Sequence, residues 1–159
     1  MRRNHFVIFD SAYQGFASGD LDQDAYSIRL FANNTDRLAI MQSYAKNFGL
    51  YGERAGCMTF LCADDNEATL IKSRMKQIAR PMYSNPPIHG ARIVDEVLGD
   101  IELTKLWHKE LKEMSSRIED MRKGLVRKLT EAGNPHDWSH IANQIGMFAY
   151  TGLTEDHVN

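Results

Sequence analysis

An acid and an amine stand at comparable places in this sequence: Asp10 closes the apolar run Phe6-Val7-Ile8-Phe9, and Lys46 follows the run Leu38-Ala39-Ile40-Met41-Gln42. Each run is short, unbroken and bounded by polar or glycine residues, as a buried strand is. In an open parallel α/β sheet, ligands gather beyond the carboxyl ends of the strands, because the loops there converge on one edge. A buried acid and a lysine on adjacent loops of that edge can hold a ligand, or can simply pair with each other. Spacing alone favours the plain ion pair. Two further groups carry less chemistry. His136 and His140 follow the turn Asn134-Pro135 and read as surface histidines rather than a metal pair. Cys57 and Cys62 lie at an odd spacing in a strand-like stretch, which sends them to opposite faces and argues against a disulfide.

The elements that must position these residues alternate between strand and helix. After the strand Phe6 to Phe9 and the polar loop Asp10 to Gly15, Asp20 caps a helix predicted from about Asp22 to Phe31. The strand Leu38 to Gln42 is followed by a loop with Gly49 and Gly52, then by a strand from Gly56 to Ala63. Asp64-Asp65-Asn66-Glu67 is a dense capping signal for a helix reaching about Ile78. This alternation predicts a parallel α/β layer. Arg80 to Pro87 holds three prolines and predicts a break in regular structure. From Trp107 onward, Leu111, Met114, Ile118, Met121 and Leu125 draw one apolar stripe along a long helix docked on the domain. Glu113–Arg117 and Glu119–Lys123 are expected as pairs on its wet side. A last strand is expected at Met147 to Thr151, and Thr154 reads as the cap of another helix. Both ends of the chain read as interior to a longer fold, with neither a secretory nor a transit segment ahead of Phe6.

Composition bounds the function. The chain has 159 residues, 43% of them hydrophobic and 25% charged, which suits a globular domain with its own core. A formal net charge of -2 gives no basic field for nucleic acid or an anionic membrane. The apolar runs are too short to cross a bilayer. A soluble protein working on a small molecule or another protein is the expectation, and two unpaired thiols fit a reducing compartment.

The residues around Lys46 narrow this further. Ser43-Tyr44-Ala45-Lys46-Asn47-Phe48-Gly49-Leu50-Tyr51-Gly52-Glu53-Arg54-Ala55-Gly56 resembles the lysine-loop signature of the aspartate aminotransferases, class I pyridoxal-phosphate-dependent enzymes of fold type I. Asp10 through Gly19 is similar to a second motif of that family, and Arg80 through Pro87 to a third. The likeness continues through Asp137-Trp138 and Gln144-Ile145-Gly146-Met147-Phe148, so it covers essentially the whole chain. It implies an α/β fold: residues 1–113 as the C-terminal part of a large cofactor-binding domain with a parallel or mixed sheet, and residues 114–159 as the rest of a long connecting helix and the start of a small C-terminal domain.

The resemblance also implies roles. Lys46 would bond the aldehyde of pyridoxal 5'-phosphate and later shuttle the α-proton. Asp10 would keep the pyridine nitrogen protonated, and Tyr13 would hydrogen-bond the ring oxygen. Ser43 and Arg54 would bind the phosphate. Arg80 would grip the side-chain carboxylate of the substrate in the neighbouring subunit's site, which implies a homodimer with shared active sites; Ser84 and Asn85 would support that loop. The implied reaction moves an amino group between L-aspartate and 2-oxoglutarate, giving oxaloacetate and L-glutamate. Parts of the family pattern lie outside these residues, so the chain alone is expected to be an incomplete fragment, feebly active or inactive. An aromatic or broad-specificity aminotransferase of the same fold is the first alternative. A non-catalytic interaction module using the 107–129 helix is the second. The wording of Arg80 to Asn85 and Tyr51 to Arg54 leans toward the mitochondrial form over the cytoplasmic one.

Overall fold

The computed structural model describes residues 5–158. Its centre is a three-stranded sheet in the order β1-β2-β3, with β1 at Val7–Ser11, β2 at Leu38–Ser43 and β3 at Gly56–Leu61. Strand β1 pairs with β2 in parallel, Asp10 standing opposite Met41. The connection between them is helical, as a parallel pair requires. It is not one helix but two, α1 at Leu21–Asp24 and α2 at Tyr26–Ala32. Asp20 caps the first by accepting from the backbone N–H of Asp22 and Gln23. The break falls at Ala25, next to Asp24, whose carboxylate is turned back into the preceding loop. Helix α2 lies against β1 through an edge-on contact of Phe31 with Phe9.

The uniformly parallel layer read from the alternation is corrected here. Strand β3 runs antiparallel to β2, with Ser43 opposite Gly56 and Leu38 opposite Leu61. The segment 44–55 contains turns but no helix, so the chain never crosses to the far edge of the sheet and must come back beside β2. Close approach is helped by Gly56: a Cβ there would lie 2.6 Å from the carbonyl oxygen of Gln42.

Helix α3, Asp65–Tyr83, starts as the capping signal indicates. The Asp64 carboxylate accepts from Glu67 N at 2.8 Å, and Glu67 Oε2 accepts in return from Ala63 N at 2.7 Å. It does not stop before the prolines. Pro81 lies in its last turn, so the bend its ring imposes has no further turns to displace, and the helix closes only at Ser84, in the left-handed region with φ 67° and bonded from its N–H to Ala79 O.

After the proline stretch the chain is helical: helix α4, His89–Gly99, comes first and buries Val94 on its inner face. Helix α5, Ile101–Glu131, begins earlier than Trp107 because Asp100 caps it through Glu102 N and Leu103 N, both at 2.8 Å. Its stripe is seated most firmly at Leu111, 1% exposed, while Met114, Met121 and Leu125 remain open. On the wet side Glu119 pairs with Lys123 as expected, but Glu113 turns to Lys109 at 3.9 Å instead of Arg117. Short helices α6, Ser139–Asn143, and α7, Glu155–Val158, follow. The strand expected at Met147 to Thr151 does not form: the segment pairs with none of the three described strands, and side chains satisfy part of its backbone instead.

The core is small and central: Leu38 and Ala39 of β2, Phe16, Ala25, Ala45, Val94, Leu111 and Ile141. Around it much apolar surface stays open, including Ile8, Met58, Leu70 and Ile78.

Candidate functional site

The reversal of β3 is what assembles the site. Because β3 starts at the edge where β2 ends, the whole loop 44–55 stays at that edge, keeping Ser43, Lys46 and Arg54 near Asp10, the penultimate residue of β1. A cavity of about 310 Å³ is lined by Asp10, Ser43, Arg54, Ala45, Gly56 and Cys57. A second, of about 550 Å³, shares Asp10 and includes Tyr13 and Ile145. Lys46 is half-buried, with Nζ 5.2 Å from the centroid of the Tyr13 ring, a cation–π arrangement. So five of the six residues read from the sequence meet at one sheet edge. Asp10 is exposed, not buried as expected, and the plain Asp10–Lys46 ion pair does not form.

Arg80 is elsewhere. It lies exposed at the end of α3, donates from Nη1 to Ser84 Oγ at 2.6 Å, and lines none of the cavities around Asp10 and Lys46.

Each loop is fixed by neighbours whose part the sequence reading missed. Asp24 holds the Tyr13 loop: its carboxylate accepts from the backbone N–H of Gly15 at 2.7 Å, of Ala17 and Ser18 at 3.1 Å, and from Ser18 Oγ at 2.6 Å. Gly15 (φ 96°) lies so close to α5 that a Cβ would stand 2.3 Å from Leu111 Cδ2. Ser115 Oγ donates to Phe16 O and Lys112 Nζ to Ser18 O, binding the same loop to α5. The Lys46 loop is held by Trp107, which donates from Nε1 to Asn47 O at 2.7 Å and stacks on Phe48 at 4.4 Å. Gln42 Nε2 donates to Gln14 Oε1 and ties the Tyr13 loop to β2. Asn47 is buried; its Nδ2 donates to Gln14 O, while Oδ1 has no partner. The one legible signal among these was Trp107, the first residue of the apolar stripe.

The electrostatics suit an anion at one end and a ring nitrogen at the other. Arg54 has φ 53°, a left-handed backbone unusual for a non-glycine residue. Its guanidinium donates to Tyr51 O at 3.3 Å, and among the described residues no carboxylate lies within ion-pair range of it. Ser43 Oγ accepts from Ala45 N, which leaves its O–H free to donate. Between them Tyr44 is partly buried, and burial, with Cys57 beside it as the lesser cause, raises its phenol above the ordinary tyrosine range. A cation, a hydroxyl and a carboxylate line one cavity, and a primary amine lines a separate, apolar cavity at the same sheet edge, together a donor set that fits a phosphorylated pyridine aldehyde.

This architecture, a mixed sheet flanked by helices with a lysine loop at its carboxyl edge, is that of a pyridoxal-phosphate enzyme of fold type I. The match is specific: residues 1–158 fit the family model for aminotransferase class I and II, and the chain belongs to that family. It is 53% identical over 157 residues to the mitochondrial aspartate aminotransferase of Arabidopsis thaliana, a match covering 99% of this chain and 36% of that one. The solved mitochondrial aspartate aminotransferase of Trypanosoma brucei superposes with a TM-score of 0.95 at 51% identity, covering 99% of this chain and 41% of that one. An aromatic-amino-acid aminotransferase from Burkholderia pseudomallei, solved covalently bound to pyridoxal phosphate, gives 0.90 at 44% identity, covering 96% of this chain and 38% of that one. The chain therefore spans a little over a third of the length of these relatives.

Proposed function

We propose that this chain carries the cofactor-holding part of an aminotransferase that moves the amino group of L-aspartate to 2-oxoglutarate, with oxaloacetate and L-glutamate as products. The observation that carries the reading is the gathering of Asp10, Ser43 and Arg54 around one cavity, with Lys46 beside it over Tyr13. Pyridoxal 5'-phosphate, when bound, supplies an electron sink for the bond broken at the substrate's α-carbon. The chain's residues do the rest. Arg54 and Ser43 hold the phosphate by charge-assisted hydrogen bonds. Asp10 would hold the pyridine nitrogen and keep a proton on it. Lys46 would hold the aldehyde end of the cofactor, and its free amine would move the α-proton. Tyr13 hydrogen-bonds the ring oxygen. Arg80, which lines none of these cavities, grips the substrate's side-chain carboxylate in the site of a second subunit, so the working form is a homodimer with shared sites. Residues 1–113 belong to a large cofactor domain and 114–159 to a connecting helix and small domain; α5 spans that boundary unbroken. Of the two compartments in which relatives work, the wording of Arg80 to Asn85 and Tyr51 to Arg54 favours the mitochondrion over the cytoplasm.

Pyridoxal phosphate added to the purified chain should raise a new visible absorbance band that Lys46→Ala abolishes. An identical band in the variant would refute the assignment of Lys46. The chain alone should turn over aspartate and 2-oxoglutarate more slowly than roughly 1 per second, the lower range for ordinary enzymes. A second reading, aromatic or broad specificity, is favoured by the likeness to the Burkholderia enzyme. Comparing rates on aspartate and phenylalanine in the full-length protein separates the two.

A further inference from the structure

Arg122 lies in the interior of α5, and its guanidinium is committed to the backbone of one short segment. Nη1 donates to Gln144 O at 2.6 Å, and Nη2 donates to Gly146 O at 2.6 Å and Phe148 O at 2.7 Å. Among the described residues no carboxylate competes for it within ion-pair range. The segment 144–148 has no helix or strand hydrogen bonds of its own, so its carbonyls depend on such outside donors. Gln144 adds a brace, accepting from Tyr150 N at 2.6 Å and donating to Tyr150 O at 2.9 Å.

Held this way, the segment lies along the rim of the site, with the Ile145 and Phe148 side chains touching it while still largely exposed. Ile145 lines the cavity that contains Asp10 and Tyr13. Met147 lines the apolar cavity that contains Lys46 and Phe48. Between them the Phe148 ring meets Tyr13 edge-on at 5.4 Å, and Tyr13 is the ring over which Lys46 sits. A continuous set of contacts therefore leads from Arg122 to the amine of Lys46.

We infer that Arg122 is a positioning residue, whose three hydrogen bonds fix the 144–148 segment as the wall that orients Tyr13 beneath Lys46. The inference rests on the reading of Lys46 as the cofactor lysine and extends it. A planar fork can serve three carbonyls at once; the ammonium of a lysine cannot reproduce that geometry.

The test uses the whole chain. Nuclear Overhauser transfer between labelled Tyr13 and Phe148 rings is measured without cofactor, and pyridoxal phosphate is then titrated with its absorbance followed across pH. Arg122→Gln should keep the helical circular dichroism and lose the ring contact. It should also weaken cofactor binding about two- to tenfold, the worth of one aromatic edge contact, and displace the pH midpoint of the bound cofactor's absorbance. Phe148→Ala should reproduce the weakened binding and the displaced midpoint, and Arg122→Lys should fall between. An unchanged ring contact and midpoint in Arg122→Gln would overturn the inference. If that variant loses its helical signal, Arg122→Lys and Phe148→Ala decide: a displaced midpoint in both supports the role, and wild-type behaviour in both removes it. If the wild-type chain itself takes no cofactor on Lys46, the enzymatic reading fails, and the cofactor-free ring contact alone then decides whether Arg122 positions Tyr13.

Discussion

Trp107→Phe isolates the hydrogen bond that anchors the Lys46 loop. Trp107 holds that loop twice, by stacking on Phe48 at 4.4 Å with 20° between the rings and by donating to the Asn47 carbonyl at 2.7 Å. Phenylalanine keeps a ring for the stack and removes the donor. Asn47 is only 4% exposed, so little water can replace the lost bond. A buried acceptor left unpaired costs about 1–3 kcal/mol, and the smaller ring gives up a little apolar burial, at about 25 cal/mol per Å². The sum is near 2 kcal/mol. Trp107→Ala also loses the stack and should cost about 3–5 kcal/mol. With a urea slope of about 2 kcal/mol per molar, the midpoint should fall by roughly 1 M for the phenylalanine variant and about twice that for alanine. Helical circular dichroism is the right probe, because fluorescence changes with the tryptophan itself. A phenylalanine variant within about 0.5 kcal/mol of wild type would show that the bond contributes nothing. One as damaging as alanine would show that the ring contact was misjudged.

The remaining predictions bear on neighbouring parts of the same edge. Arg54→Ala should weaken pyridoxal phosphate binding about ten- to a hundredfold, as loss of charge-assisted bonds does, while unphosphorylated pyridoxal binds as before; equal losses for both would remove the phosphate role. Gly15→Ala combines a left-handed φ of 96° with a methyl 2.3 Å from Leu111 Cδ2. It should cost about 3 kcal/mol from strain and overpacking together, and an unchanged thermal midpoint would contradict the close seating of α5. Tyr44 ionises later than an ordinary tyrosine because burial, and secondarily Cys57, disfavour the phenolate. Its contribution to stability is therefore fully present below its ordinary value of 10.0 and is lost as pH rises through the raised folded value. Tyrosinate absorbance should show a late component that Tyr44→Phe removes; a late component that persists in the variant assigns it elsewhere.

The sequence made the local features legible and left the non-local ones hidden. Strands β1 and β2, the caps at Asp20 and Asp64, and the grouping of Asp10, Tyr13, Ser43, Lys46 and Arg54 could be read because apolar runs, capping signals and the lysine-loop wording are short and contiguous. The antiparallel return of β3 could not, since alternation of strands suggests a parallel layer and only pairing reveals direction. Helix α3 runs past Arg80 because Pro81 falls in its final turn, where the bend a proline imposes has no further turns to displace. The 147–151 segment has strand composition but pairs with no described strand, and composition cannot show whether a partner will be met. Trp107, Asp24 and Arg122 act on backbone atoms 60, 6–9 and 22–26 residues away, a relation no spacing rule detects.

Reductive trapping tests the account at its centre. The chain is mixed with pyridoxal phosphate, reduced with borohydride, digested and mapped for modified lysines. Label on Lys46 alone, lost in Lys46→Ala and reduced in Arg54→Ala, is the predicted result. Label spread over Lys72, Lys76 and Lys109, with Lys46 no more modified than they are, would contradict it.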